Sequence, residues 1–136
     1  MSDPSMSGPR PLFTFEHVPT QAEFELFARV SGDDNPIHVD AAFSARTRFG
    51  RTVAHGMFLY TLIWSRLRAV LPEAVSLEQT LKFPNPSYAG EALLLTGTLE
   101  PSGPGRAMVR AVITRVADGV ITCEATTLVD LGGRNA

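Results

Sequence analysis

The stretch Gly56–Leu71, GMFLYTLIWSRLRAVL, constrains this chain more than any other. Its first half, Met57–Trp64, is apolar on every side, so as a helix it has to be covered all round rather than along one stripe. It is too short to span a bilayer, and Arg66 and Arg68 close it. At 1.5 Å per residue the helix would run roughly 24 Å, about the width of a small sheet. Pro72 stops it, and the hydrophobic period then changes. Val75, Leu77, Leu81 and Phe83 alternate with Ser76, Glu78, Thr80 and Lys82, which is strand spacing. After the turn cluster PNPSYAGE comes ALLLTGTL, apolar on both faces, which PSGPG breaks. RAMVRAVITRV and VITCEATTLVDL then flank Asp118-Gly119, a two-residue hairpin signal. In the last strand Ile121, Cys123, Ala125, Val129 and Leu131 share a face opposite Glu124, Thr126 and Asp130.

The first third supplies one strand and two helices. Leu12–Glu16 alternates as a short strand, and Thr20 with Glu23 three residues on forms a capping box. Phe24, Phe27 and Ala28 sit at helical spacing until Gly32 ends the run. In the polar loop SGDDNPIHVD that follows, Pro36 pushes Asn35 out of the helical region. Asp40 can cap a second helix, AAFSARTRF, stopped by Gly50. An α+β fold accounts for this order, with an antiparallel sheet wrapped around the apolar helix. No repeat or linker divides the chain. The expected organisation is a loose tail over 1–11, one domain over 12–131 and a short tail over 132–136.

Composition excludes classes rather than selecting one. With 136 residues there is room for one domain. A net charge of −2 with 12 basic residues gives no footprint for nucleic acid or an anionic membrane. The single Cys123 excludes an internal disulfide or a CxxC site. No targeting segment is visible, so the expected compartment is the cytoplasm.

The chemistry-bearing residues crowd into one loop. Asp33, Asp34, Asn35 and His38 lie within six residues, around a proline. If the loop folds tightly, the Asp33 carboxylate and the His38 imidazole converge, and an Asn35 side chain bonded to nearby backbone would hold them. That pair suits proton transfer near neutral pH. The same composition also describes an ordinary turn beside a packed histidine. Metal binding is not expected: Asp33, His38, Asp40 and His55 carry ligand atoms, but no HxxxH, HExxH or EF-hand spacing is present. There is no GxSxG, and Cys123 sits on an inward strand face. Gly56 opens the apolar helix, where N–H groups lack partners and a ligand carbonyl can approach the bare backbone as in an oxyanion hole. Tight helix packing explains the same glycine.

Ser31–Ala45, SGDDNPIHVDAAFSA, resembles the signature of the MaoC-like hydratases, the (R)-specific enoyl-CoA hydratase group. Val30, Ser31, Gly32, Asp33, Asn35, Pro36, Ile37, His38 and Ser44 all fit that pattern. Thr47-Arg48-Phe49-Gly50, then Ala54-His55-Gly56-Met57 before an apolar helix, and Leu81-Lys82-Phe83 with Pro86 and Gly90-Glu91, extend the likeness from about Phe13 to Leu131. The resemblance implies the hot-dog fold, a sheet wrapped round one long helix, in dimers that join edge to edge with each active site at the subunit interface. It implies reversible hydration of a trans-2-enoyl thioester, carried by coenzyme A or acyl-carrier protein, to the (R)-3-hydroxyacyl thioester, with no metal or other cofactor. By position Asp33 and His38 become the catalytic pair that holds and activates water. Gly56 N–H becomes the donor to the thioester oxygen, and Asn35 and Trp64 join the substrate site.

One position departs from the family. Its short-chain hydratases carry a serine where this chain has Trp64, and Ser65 points about 100° away around the helix. A large indole there would shorten the acyl pocket, or it packs in the core or against the partner. Arg46, Arg48, Arg51 and Lys82 are the cations nearest the motifs for the phosphates of coenzyme A. The fold also hosts thioesterases, which place an acid on the central helix, but Gly56–Leu71 has no Asp or Glu. A third alternative is a non-catalytic acyl-thioester-binding subunit of a heterodimer, against which the intact Asp33 and His38 count.

Overall fold

The computed structural model of the protein describes residues 8–132. Residues 1–7 of the expected N-terminal tail and 133–136 of the C-terminal tail lie outside the described residues. In chain order the elements are β1 (Arg10–His17), α1 (Gln21–Ser31), α2 (Pro36–Val39), α3 (Ala41–Ala45), α4 (Gly56–Val70), β2 (Val75–Lys82), β3 (Leu93–Pro101), β4 (Arg106–Arg115) and β5 (Ile121–Asp130). The strands form one antiparallel sheet in the order β1-β3-β4-β5-β2, so β1 and β2 are its edges. The strand expected at Leu12 starts at Arg10, which takes the last two residues of the expected tail into the ladder.

Helix α4 lies on one face of this sheet. Phe58, Leu59, Tyr60 and Ile63 meet Leu93, Leu95, Ala111, Ile113, Cys123 and Ala125, and Phe24 of α1 closes the cluster. A second cluster joins Leu67 to Ala74, Leu99, Ala107, Val109 and Val129. Each large side chain so buried contributes about 1.5–3 kcal/mol. Cys123 is part of this core, and burial pushes its thiol up to about 12, which leaves it a small hydrophobe.

The expectation that α4 is enclosed all round is not met within one chain. The sheet and α1 cover Phe58, Leu59, Tyr60 and Ile63, whereas Met57 at the start of the helix is 46% exposed. One sheet face and one short helix do not go round a cylinder.

Edge strand β2 also differs from its even alternation. A bulge between Ser76 and Glu78 inserts a residue, so Ser76 stands opposite Val129 while Leu81 stands opposite Ala125. The inward row changes from Leu81 to Ser76 across the bulge, and Val75 and Leu77 are left exposed. Asp118-Gly119 does turn the chain, with Gly119 at φ 71° and Asp118 Oδ1 accepting from Val120 N at 3.2 Å. The connection runs over 116–120, five residues rather than two, because Arg115 N pairs with Val120 O and Gly119 N with Arg115 O. That acceptor bond and the Arg115 guanidinium hold the Asp118 carboxyl below its ordinary range. The second helix stops at Ala45, short of Phe49. Thr47 Oγ1 donates to Ser44 O and accepts from Phe49 N, offering the backbone an alternative to further helix.

Candidate active site

The loop between α1 and α3 is built by caps. Gly32 ends α1 in the left-handed region at φ 82°, and its N–H donates to Ala28 O. Asn35 is held outside the helical region at φ −51° and ψ 130°, as the following proline requires, and its Oδ1 accepts from Ile37 N at 3.1 Å. This makes residues 36–39 a single helical turn, α2, where spacing alone gave only loop. Asp40 caps α3 through Phe43 N at 3.0 Å. Asn35 therefore serves the loop, with its side chain turned onto its own backbone.

That turn is pinned to the segment preceding α4. Val53 N donates to Ile37 O at 3.1 Å, and His38 Nδ1 donates to Val53 O at 2.8 Å. Gln21 bridges the same two strands of chain: its Nε2 donates to His38 O at 3.0 Å and its Oε1 accepts from Thr52 Oγ1 at 2.6 Å. His55 Nε2 donates to the Asp33 carbonyl oxygen at 2.9 Å. The rings of His38 and His55 stack at 3.8 Å between centroids, 23° from parallel, and Phe27 covers His55 at 4.8 Å.

Asp33 and His38 do converge: Asp33 Oδ2 lies 3.9 Å from His38 Nε2. The carboxylate is half exposed and the imidazole nearly buried, at 54% and 13% of the side chain. Because Nδ1 must carry its proton to reach the Val53 carbonyl, Nε2 of neutral His38 carries the lone pair and faces the carboxylate. The 3.9 Å separation is beyond a hydrogen bond. A water bonded to both at about 2.8 Å would subtend roughly 90° between them, close to its natural angle.

His55 is the residue that spacing undervalued. It is 2% exposed, and burial lowers its pKa, with the nearby His38 adding to that. Asp33, His38 and His55 offer donor atoms within 4.8 Å of one another. A histidine's lone pair lies in its ring plane, however, and two stacked rings cannot both aim at one ion about 2.1 Å away. Spacing likewise gives no sign that Gln21, Val53 or the helical Phe27 belongs to the site. Their signal is spatial, joining segments up to 31 residues apart.

Gly56 is the first residue of α4, and its N-cap His55 makes no side-chain cap, so the first-turn N–H groups have no helical acceptor. A Cβ at Gly56 would lie 2.8 Å, 2.9 Å and 3.0 Å from three atoms of the Phe83 ring. Gly56 and Phe83 line a cavity of about 190 Å³ together with Arg48, Asn85 and Ser87. Trp64 is placed elsewhere. It is half-buried against both core clusters and lines a cavity of about 500 Å³ between α4 and β2, with Tyr60, Thr61 and Gln79. Neither Asp33 nor His38 lines that cavity. Of the cations near the motifs, Arg51 is ion-paired with Glu91 and stacked on Tyr88, while Arg48 stacks on Phe49.

The sequence matches the MaoC like domain family over residues 6–121. It is 32% identical over 120 residues to an (R)-specific enoyl-CoA hydratase of Rhodospirillum rubrum, covering 84% of this chain and 82% of that protein. It is 38% identical over 98 residues to a 3-hydroxybutyryl-CoA dehydratase of Methylorubrum extorquens, covering 70% of this chain. The chain spans only 62% of that dehydratase's length. Among solved structures an (R)-hydratase from A. caviae superposes with a TM-score of 0.84 at 26% identity, covering 94% of this chain and 98% of that one. The shared architecture is the hot-dog fold. No helix among the described residues is long and apolar enough to cross a membrane.

Proposed function

This chain belongs to the MaoC-like domain family, and from that premise we propose that it reversibly hydrates trans-2-enoyl thioesters to (R)-3-hydroxyacyl thioesters. One observation carries the reading: Asp33 Oδ2 and the lone-pair nitrogen of His38 meet at 3.9 Å, where one water can bond to both. In the forward direction the water oxygen forms a bond to Cβ as the Cα=Cβ pair breaks. The proton that water loses passes to the Asp33–His38 pair, and Cα gains one from the same pair. Each positioned proton transfer is worth roughly 10²–10⁴ in rate.

As the double bond breaks, charge develops on the thioester oxygen. Gly56 N–H is the proposed donor there, a contribution on the order of 3–4 kcal/mol for a preorganised oxyanion donor. His55 is the residue before Gly56 and stacks on His38, which puts the helix start beside the pair. Asn35 shapes the loop that carries the pair.

The proposed substrate is an acyl-CoA or acyl-carrier-protein thioester whose acyl chain runs from the pair toward the separate cavity between α4 and β2, where Trp64 would limit it to short chains. The proposed active unit is one hot-dog domain, expected over 12–131 and extended to Arg10 by β1, acting as a cytoplasmic homodimer. The exposed Val75 and Leu77 on the unpaired edge β2, with Met57 exposed on α4, support the pairing.

The test is incubation with crotonyl-CoA, following loss of the enoyl absorbance and the chirality of the product. Asp33→Asn and His38→Gln should each lower kcat at least 100-fold while leaving a cooperative unfolding transition. Near-full activity in either variant would overturn the mechanism. Release of free CoA without hydration would assign a thioesterase instead.

A further inference from the structure

We propose that His55 is a positioning residue of this site: as the neutral Nε2–H tautomer it fixes the Asp33 carbonyl and braces His38, so that the reacting carboxylate and imidazole keep their spacing. The inference rests on the hydratase reading above for its effect on rate, and on geometry alone for the tautomer.

Three contacts converge on this ring. Its Nε2 reaches the Asp33 carbonyl across 22 residues at 2.9 Å. A carbonyl oxygen only accepts, so Nε2 carries the proton and, in a neutral ring, Nδ1 does not. His55 Nδ1 is buried, with no hydrogen-bond partner among the described residues. The donor is thereby committed to one target. The faces of the ring are committed too, one by the stack on His38 at 3.8 Å and the other contact by Phe27 at 4.8 Å.

What this supplies is missing from the loop itself. Asp33 sits just beyond the end of α1, and its side chain is half exposed, so apolar packing does not hold it. Its N–H donates to Ser31 Oγ at 3.1 Å, which is local. His55 provides the long-range tie, from the N-terminus of the most buried helix to the backbone of the acid. The same ring limits the tilt of His38, whose other restraint is the Nδ1 bond to Val53 O. His55 touches no reacting atom and acts through its two neighbours.

The contacts separate in two variants. His55→Gln retains an N–H near the Nε2 position but loses the ring. His55→Phe retains a ring for the stack but has no donor for the Asp33 carbonyl. On crotonyl-CoA, His55→Phe should lose roughly 10- to 100-fold in kcat with KM changed less than threefold, since a misplacement of about 1 Å costs on the order of 100-fold. His55→Gln should recover to within about fivefold of the parent. A His55→Phe enzyme within threefold of the parent, or a His55→Gln enzyme as slow as His55→Phe, would overturn the proposal. A readout independent of turnover, and of whether the variants fold, is imidazole ¹⁵N–¹H correlation on the unmutated protein. It should show Nε2–H at His55 and Nδ1–H at His38 from pH 7 to 8, and any other pair of tautomers there overturns the proposal. If the parent hydrates no enoyl thioester, the function falls while the tautomers still decide this inference.

Discussion

Gly56 invites two explanations, and replacing it with alanine in the presence and absence of the Phe83 ring separates them. An alanine Cβ would sit 2.8–3.0 Å from three Phe83 ring atoms, against a carbon–carbon optimum near 3.5–4.0 Å. The ring must therefore retreat by roughly 0.5–1 Å. Overpacking of this kind costs about 1–3 kcal/mol. The helix preference for alanine over glycine returns at most about 1 kcal/mol, and less at the first helical position. Gly56→Ala should thus destabilise by about 1–2 kcal/mol. Phe83 is 42% exposed, so Phe83→Ala forfeits only part of a full phenylalanine burial, roughly 1–1.5 kcal/mol. With the ring gone the added methyl has no opponent, and the double variant should be no less stable than Phe83→Ala alone. Urea unfolding of the four proteins gives the coupling directly, with about 1–2 kcal/mol of non-additivity expected. On crotonyl-CoA the double variant should return to within threefold of Phe83→Ala. Additivity within about 0.5 kcal/mol would refute the steric argument. A double variant that stays as slow as Gly56→Ala would show that the substrate, and not Phe83, needs the bare backbone.

The acyl preference is tested at Trp64. The parent should hydrate crotonyl-CoA faster than a C10 enoyl-CoA, and Trp64→Ser should shift the ratio toward the longer chain by roughly tenfold for every two methylenes it admits, at about 0.8 kcal/mol each; a parent that prefers C10 refutes the short pocket. The buried His55 makes a prediction about acid. Burial depresses its folded-state pKa below the ordinary 6.5, so as pH falls below 6.5 the unfolded chain takes up the proton first and the folded state loses stability toward the folded pKa. One such histidine costs up to about 1.4 kcal/mol by pH 5.5. Urea unfolding at pH 7.5 and 5.5 should therefore show a larger loss in the parent than in His55→Gln, and equal losses would remove His55 as the source.

Local signals were legible in this sequence, and long-range pairing was less so. The capping box at Thr20 and Glu23 forms as spaced, with Glu23 N donating to Thr20 Oγ1 at 3.2 Å and Thr20 N to Glu23 Oε1 at 2.8 Å. Gly32, Pro36 and Asp40 act through their own φ, ring and side-chain oxygen, which the neighbouring residues do not alter. The bulge in β2 was hidden because its cause is across the ladder, in the match of Ser76 to Val129, and alternation in one strand carries no register. His55 was hidden for a related reason. Its partners are Asp33, His38 and Phe27, and only the fold brings α1 and the start of α4 to one place. The motif at 31–45 holds both Asp33 and His38, which the fold brings to 3.9 Å, whereas the braces around them come from chain on either side.

The placement of the site explains why those braces are hydrogen bonds. In the proposed reaction Asp33 has to meet water and substrate, so it is half exposed and cannot be fixed by burial. The chain instead buries the groups that hold it. His55 is in the core layer under Phe27, and Val53 is buried with its carbonyl given to His38. Directional bonds carry position from that layer outward to an exposed acid, and each is worth only about 1 kcal/mol net. Rate is far more sensitive than stability to such a bond, since a displacement of about 1 Å can cost 100-fold while the fold loses a small part of its several kcal/mol. Variants at Gln21 and His55, which brace the pair from behind, should therefore separate the two quantities, falling in kcat well before they fall in unfolding midpoint.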